Sequence, residues 1–303
     1  MFFFLKPSFF LYTSLLSIHQ PQFFTNFNSS PFVYQVVTPN NKTHYIIGSI
    51  HVLEKTDHPL PVEFSLAMKK SKVLVLESNI SRSKRYSFTK IVKEHCMFNK
   101  KSLADVISAA TYSKVDKFLK HHHGNINTFK RYKPWFLAMV LSGISNSKKK
   151  FSSSYGVDMF LANVATKEKV PIKELEDPST VFSLLNQMTA EEQEKFLLSS
   201  ISKTWRKAGS TMHLVNLWKG GSEFSMHSYL TRIRSISKGT SSFYRLLFDK
   251  RNVNMAKRAK EYFTSDTIHL IVVGAGHLMG NNGLLSVLRN SGYTITRLRE
   301  IKW

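Results

Sequence analysis

His44-Tyr-Ile-Ile-Gly-Ser-Ile-His51 and His269-Leu-Ile-Val-Val-Gly-Ala-Gly-His277 decide the fold. Each is a short apolar, partly β-branched run followed by Gly-x-x-His. Such a run reads as a buried strand of a parallel sheet. Gly48 and Gly274 are expected where each strand turns out sharply, because glycine tolerates unusual dihedrals. The histidine then falls in the loop at the strand's C-terminal end, the rim where α/β sheets place ligands and chemistry. Two matching motifs at opposite ends of the chain predict a site with two histidines.

Around the first motif, residues 31–37 read as a strand, residues 38–42 as a turn, and residues 44–48 as the second arm of a hairpin. Pro61 is placed to open a helix that runs to Lys70. An apolar strand, residues 73–76, follows and ends at Glu77. A helical crossover makes its two strands parallel, so His51 and Glu77 should emerge on one rim. A carboxylate at the end of a buried strand also needs a partner, because burying a lone charge is costly. Around the second motif, a strand over 268–273, a helix over 284–290 and a strand over 293–298 repeat the pattern.

The middle of the chain reads as helical. Ser102 to Asp105 resembles a capping box, and Thr189 to Glu192 caps a helix over 190–200. Further helices are expected over 115–121, 134–141, 159–166, 214–218 and, basic and amphipathic, 254–263. A short strand over 170–176 ends on Glu176. The fold class is therefore α/β, a central mixed sheet built from two β-loop-α-β units with a long helical insert at about 80–250.

Composition narrows the function classes. A chain of 303 residues, 42% hydrophobic and 13% aromatic, can bury a full core and is not a disordered polymer. Its 43 Lys and Arg against 20 Asp and Glu give a net charge of +23, which draws it toward anionic surfaces such as lipid headgroups. The basic residues are scattered, without an aromatic-basic recognition pattern, so no specific nucleic-acid partner is expected. Cys96, alone, excludes an internal disulfide and a multi-cysteine zinc knuckle, and reads as a small buried hydrophobe. Residues 1–30 read as a Phe-rich export signal or anchor plus linker, with the folded domain at 31–303 and an extracytoplasmic location. No other stretch reaches the ~18 apolar residues needed to cross a bilayer.

Two neutral imidazoles and a carboxylate, His51, His277 and Glu77, make a three-ligand set that leaves positions open on a divalent metal. Without a thiolate, manganese and cobalt suit it as well as zinc. Such an ion polarises a carbonyl and acidifies its bound water. Glu176 is the candidate general base, and Arg251 the fixed cation for a developing oxyanion. Asp158 reads as a helix N-terminal residue, Trp135 and Trp218 as packing, and His44, His58 and His269 as structural. The run His121 to His123 reads as favourable charge at a helix C-terminus.

The chain resembles the TraB/GumN family, which includes the Tiki metalloproteases. The likeness rests on Gly-Ser-Ile-His-Val-Leu (48–53), Val-Leu-Val-Leu-Glu (73–77), Lys-Pro-Trp (133–135), Gly-Val-Asp (156–158), Leu-Glu (175–176), the segment 218–220, Arg-Asn (251–252) and Val-Gly-Ala-Gly-His-Leu (273–278). Ser49 stands where the family pattern carries Thr. The family's paired Gly-x-x-His motifs, its Glu and its Arg fall on His51, His277, Glu77 and Arg251. The resemblance implies a metal-dependent peptidase or related hydrolase with a peptide or protein substrate, in a fold shared with haem-binding and erythromycin-esterase-like proteins. Two further readings are a haem- or ligand-binding protein of that fold, and a protein that sequesters a peptide without cleaving it.

Overall fold

The computed structural model describes residues 31–78, 88–144 and 151–298. The signal-like segment at 1–30 lies outside them. Six strands form one mixed sheet: β1 (Val33–Val37), β2 (Thr43–Ser49), β3 (Val73–Leu76), β4 (Ile172–Glu174), β5 (His269–Gly274) and β6 (Thr294–Arg297), in the spatial order β4-β3-β5-β2-β1-β6. The apolar runs of β2, β3 and β5 are almost wholly buried, as parallel strands covered on both faces must be. The edge strands β4 and β6 alternate between half-buried and exposed residues.

The two expected β-loop-α-β units do share this sheet, but they interleave. β2 and β3, joined by the Val62–Lys70 helix, are not neighbours, because β5 pairs parallel with both. Ser49 pairs with Gly274, and Leu76 with Val272. The last strand of the first unit and the first strand of the second therefore end side by side. β6 returns to the far edge and pairs antiparallel with β1.

The insert comes back to the sheet in its middle. The Val157–Lys167 helix and β4 pack into the sheet's own core through Val157, Leu161, Ala165 and Leu175. The remaining helices form a second core around Trp135, Phe196, Leu197 and Phe243. Leu214, Leu217 and Leu230 touch both cores, so the seam between them is apolar.

Several local signals land elsewhere than expected. Pro61 caps the Val62–Lys70 helix from outside it. The Ser102–Asp105 box closes only the single turn Leu103–Asp105, and Ser108 caps the true helix, Ala109–His121, by accepting from the Thr111 N–H. Gly48 and Gly274 are not at left-handed dihedrals; Gly274 has φ −52°. A Cβ at Gly48 would lie 2.8 Å from Leu278 Cδ1 and 2.9 Å from Phe32 Cβ, so that glycine is needed for space instead. Among the described residues no helix is long and apolar enough to cross a membrane.

Candidate active site

His51, Glu77 and His277 meet at the C-terminal ends of β2, β3 and β5, around Gly274. A Cβ there would lie 3.6 Å from Glu77 Oε2, 3.6 Å from His277 Cδ2 and 3.7 Å from His51 Nε2. Gly274 thus leaves open the space that the three side chains border. Its N–H donates to Glu77 Oε2 at 3.0 Å, which ties the carboxylate to the β5 exit.

His51 owes its orientation to a residue 107 positions away. Its Nδ1–H donates to Asp158 Oδ2 at 2.9 Å, and the Ser49 hydroxyl donates to Asp158 Oδ1 at 2.7 Å. A threonine at position 49 would offer the same hydroxyl. Asp158 sits in the first turn of the Val157–Lys167 helix, which docks directly on the His51 loop, Val157 N–H donating to Ile50 O at 3.0 Å. Gly156 allows this approach, because a Cβ there would fall 2.3 Å from His51 O. Enclosure opposes charge on His51, but the Asp158 carboxylate outweighs it and raises the imidazole pKa. Nε2 is left facing the site, with the side chain 31% exposed.

His277 is held in the same way by a different partner. Its Nδ1–H donates to Asn252 Oδ1 at 2.7 Å, and Asn252 Nδ2 donates to Asn282 O at 2.8 Å, which fixes the amide's orientation. Nε2 must then carry a lone pair, and it accepts from Arg251 Nη1 at 3.3 Å. Burial lowers the His277 pKa to about 3, with the nearby guanidinium and His51 adding to the effect. This imidazole is neutral at physiological pH.

Arg251 is buried at 3% exposure and joins the two carboxylates. Its Nη2 donates to Glu77 Oε1 at 2.5 Å and also to Glu176 Oε1, while Nε reaches both Glu176 oxygens at 2.8 and 3.1 Å. Burial alone would raise the Glu77 pKa, but Arg251, then His277, His51 and the Gly274 N–H, hold it well below the usual range. For Glu176 burial prevails over Arg251, and the pKa rises. Asp249 pairs instead with Arg234. The helix carrying Arg251 starts earlier than expected, at Lys250, directly after a π-helical segment Arg245–Asp249. Arg251 and Asn252 continue its buried stripe of Met255, Ala256 and Ala259.

Of the five residues expected at the site, Glu77, Glu176, Arg251 and His277 are in one connected network, and His51 faces it across Gly274, held by Asp158. Sequence reasoning missed the purpose of Asp158 and Asn252, although each belongs to a quoted motif. Trp218 does more than pack: its Nε1–H donates to Gly48 O at 2.9 Å and pins the end of β2. Cys96, Trp135, His44 and His269 lie in the interior, away from this rim.

The donor set can be tested against a divalent ion. Both imidazoles have Nδ1 engaged by an oxygen, the outer-shell pattern that turns Nε2 toward a ligand, although His277 Nε2 here accepts from Arg251. Glu77 and Glu176 set two negative charges against one guanidinium, which suits an added cation. The chemistry of the donors fits. Their packing is not a closed cage, however: Arg251 lies on Glu77 Oε1 and His277 Nε2, and among the described residues no three His, Cys, Asp or Glu side chains are disposed to share one ion.

A cleft of about 110 Å³ opens from His51 and His277 into the seam between the two cores. Its far walls carry Trp205, Trp218, Tyr229, Leu230, Tyr244 and Phe248.

The model of the TraB/PrgY/gumN family matches residues 32–297. The chain is 24% identical over 255 residues to the uncharacterized protein YbaP of Escherichia coli (strain K12), covering 84% of this chain and 90% of YbaP. The YbaP of Shigella flexneri is similar to the same extent. No solved structure matches.

Proposed function

The chain belongs to the TraB/PrgY/gumN family, and from that premise we propose that its rim site is the active site of a metal-dependent hydrolase acting on peptide bonds. The observation that carries this reading is the matched state of two histidines on different strands. Each has Nδ1–H committed to an oxygen, and each turns Nε2 toward a site bordered by Glu77. Surface histidines do not need such paired restraint.

His51 Nε2, His277 Nε2 and a Glu77 oxygen would hold the ion, with manganese, cobalt and zinc all suited to the donors. When bound, it supplies a Lewis acid and an acidified water. The chain's own residues prepare the rest. Asp158 and Asn252 hold the imidazoles in the ligating tautomer. Arg251 keeps a fixed positive charge at the rim, where a tetrahedral oxyanion would develop. Both oxygens of Glu176 lie on that guanidinium, so in this packing Glu176 positions Arg251. The helical lobe shields the reaction from bulk water along one side of the cleft. The Phe-rich N-terminus supports a place outside the cytoplasm, and the +23 charge supports attraction to anionic membrane surfaces.

Metal analysis of the purified protein, with peptide cleavage in the wild type and in the His51→Ala and His277→Ala variants, tests the proposal. Bound metal and cleavage should both fall at least tenfold in each variant. Unchanged metal content and unchanged cleavage would remove it.

The apolar lining of the cleft favours a second reading, a binding protein whose free His51 Nε2 takes an iron complex such as haem, or whose cleft sequesters a peptide. A haem absorption band lost in His51→Ala, or peptide binding indifferent to chelator and to Glu77→Gln, without hydrolysis in either case, would select it.

A further inference from the structure

Beyond the reacting rim, the cleft is built to take a particular kind of side chain. One wall is a continuous run of rings that begins at the site itself. Phe248 lies 4.7 Å from the His277 ring, Tyr244 stacks on Phe248 at 5.4 Å, and Trp205 meets Tyr244 edge-on at 6.4 Å. The lining also includes Trp218, Met226 and Leu230. The indole N–H groups on these walls are already used: Trp205 Nε1 donates to Ser142 Oγ at 3.0 Å, and Trp218 Nε1 donates to Gly48 O. What they present to the cleft is apolar.

Two polar atoms break that pattern. Tyr229 and Tyr244 are largely buried and both line the cleft, and their hydroxyls are not among the enclosed polar atoms, so they stay in touch with the cleft's open space. A bound group that brings an acceptor or donor to such hydroxyls replaces water there with a direct hydrogen bond in a largely apolar setting. The two hydroxyls are therefore the polar handles that the ring wall offers to a ligand in the cleft.

Resting on the hydrolase reading above, we propose that this cleft is the specificity pocket for the residue flanking the cleaved bond. It takes a large aromatic or aliphatic side chain, and tyrosine best, because tyrosine fills the apolar walls and brings a phenol to Tyr229 and Tyr244. Small and acidic side chains leave the walls wet or strand a charge among rings. The cleft's apolar length and its direct continuity with His277 distinguish this from general surface stickiness.

The test is a set of peptides, acetyl-Ala-Ala-X-Ala-Ala-amide with X as Tyr, Phe, Leu, Ala or Asp, given to the full chain with manganese, cobalt or zinc and read by mass spectrometry. Cleavage beside Tyr, Phe and Leu should exceed that beside Ala by about 30-fold or more in kcat/KM. Leu230→Trp, which fills the cleft, should collapse that ratio. The double change Tyr229→Phe with Tyr244→Phe, which keeps the walls, should spare the Phe peptide and lower the Tyr-over-Phe ratio about fivefold. Cleavage with no preference for X would overturn the pocket and leave the hydrolase reading standing. No cleavage of any peptide with any of the three metals would overturn the hydrolase reading instead. The pocket is then decided by calorimetry with N-acetyltyrosinamide and N-acetylserinamide: tighter binding of the first, lost in Leu230→Trp, sustains it, and equal binding overturns it.

Discussion

His51 and Asp158 lie 107 positions apart, and the imidazole N–H of one rests 2.9 Å from the carboxylate of the other. That pair joins the strand rim to the N-terminus of a helix from the insert, and it sets both the tautomer and the charge of His51. Asp158→Asn should therefore lower the His51 pKa, because the carboxylate is what raises it against enclosure. Proton titration of the His51 ring by NMR measures this directly. Metal affinity should fall about 10- to 100-fold in the same variant, as is usual when an outer-shell partner is removed. A His51 titration unmoved by the change would show that Asp158 does not govern it.

Arg251 is the only positive charge in direct contact with both Glu77 and Glu176 among the described residues. Arg251→Gln strands two carboxylates that together are its buried partners. Breaking a buried pair from one side typically costs about 3–5 kcal/mol. Urea denaturation at neutral pH should show a loss of that order. A loss below about 1 kcal/mol would mean the network is held by other contacts.

The Gly-Val-Asp motif makes its contribution through space. Gly156→Ala places a methyl group 2.3 Å from His51 O, so the helix must back away and draw Asp158 with it. Overpacking of this kind costs about 1–3 kcal/mol. The more telling readout is metal affinity, which should drop alongside that of Asp158→Asn. A variant with wild-type affinity would indicate that the loop yields without moving the pair.

Far from the site, at the opposite end of the strands, His44 is buried and stacks on Phe263 at 4.5 Å, with His269 beside it. Burial, reinforced by His269, lowers its pKa to about 4. The sign follows from linkage: between about pH 6.5 and 4 the unfolded chain takes up a proton that the folded chain refuses, so stability falls as pH drops through that window. His44→Phe removes this proton uptake. The variant's denaturation midpoint should fall less than the wild type's between pH 7 and pH 4.5. Equal losses in the two proteins would assign the acid sensitivity to other groups.

Much of this could be read from the chain before any coordinates. The strand-then-histidine motifs, the strand ending on Glu77 and the helix crossover placed three site residues on one rim, because parallel strands joined by a helix end on the same edge. Glu176 was a candidate because it follows a short strand, and Arg251 because its guanidinium is a fixed positive donor and matches the family's Arg. Asp158 and Asn252 were not recognised as partners of the two histidines. Each looks like ordinary helix-end or helix-face chemistry until the helix is docked, and nothing local says which imidazole it will meet.

Taken alone, the sequence determined which segments are strands, that His51, Glu77 and His277 follow their ends, and which family the pattern resembles, since these follow from periodicity and from residues a few positions apart. Tertiary structure decided that β5 wedges between β2 and β3 and that Arg251 lies across both glutamates. It also decided that the two cores leave an aromatic cleft between them. Those outcomes depend on how distant surfaces pack. That packing is settled by volume, burial and charge compensation over the whole fold, which no short stretch of sequence contains.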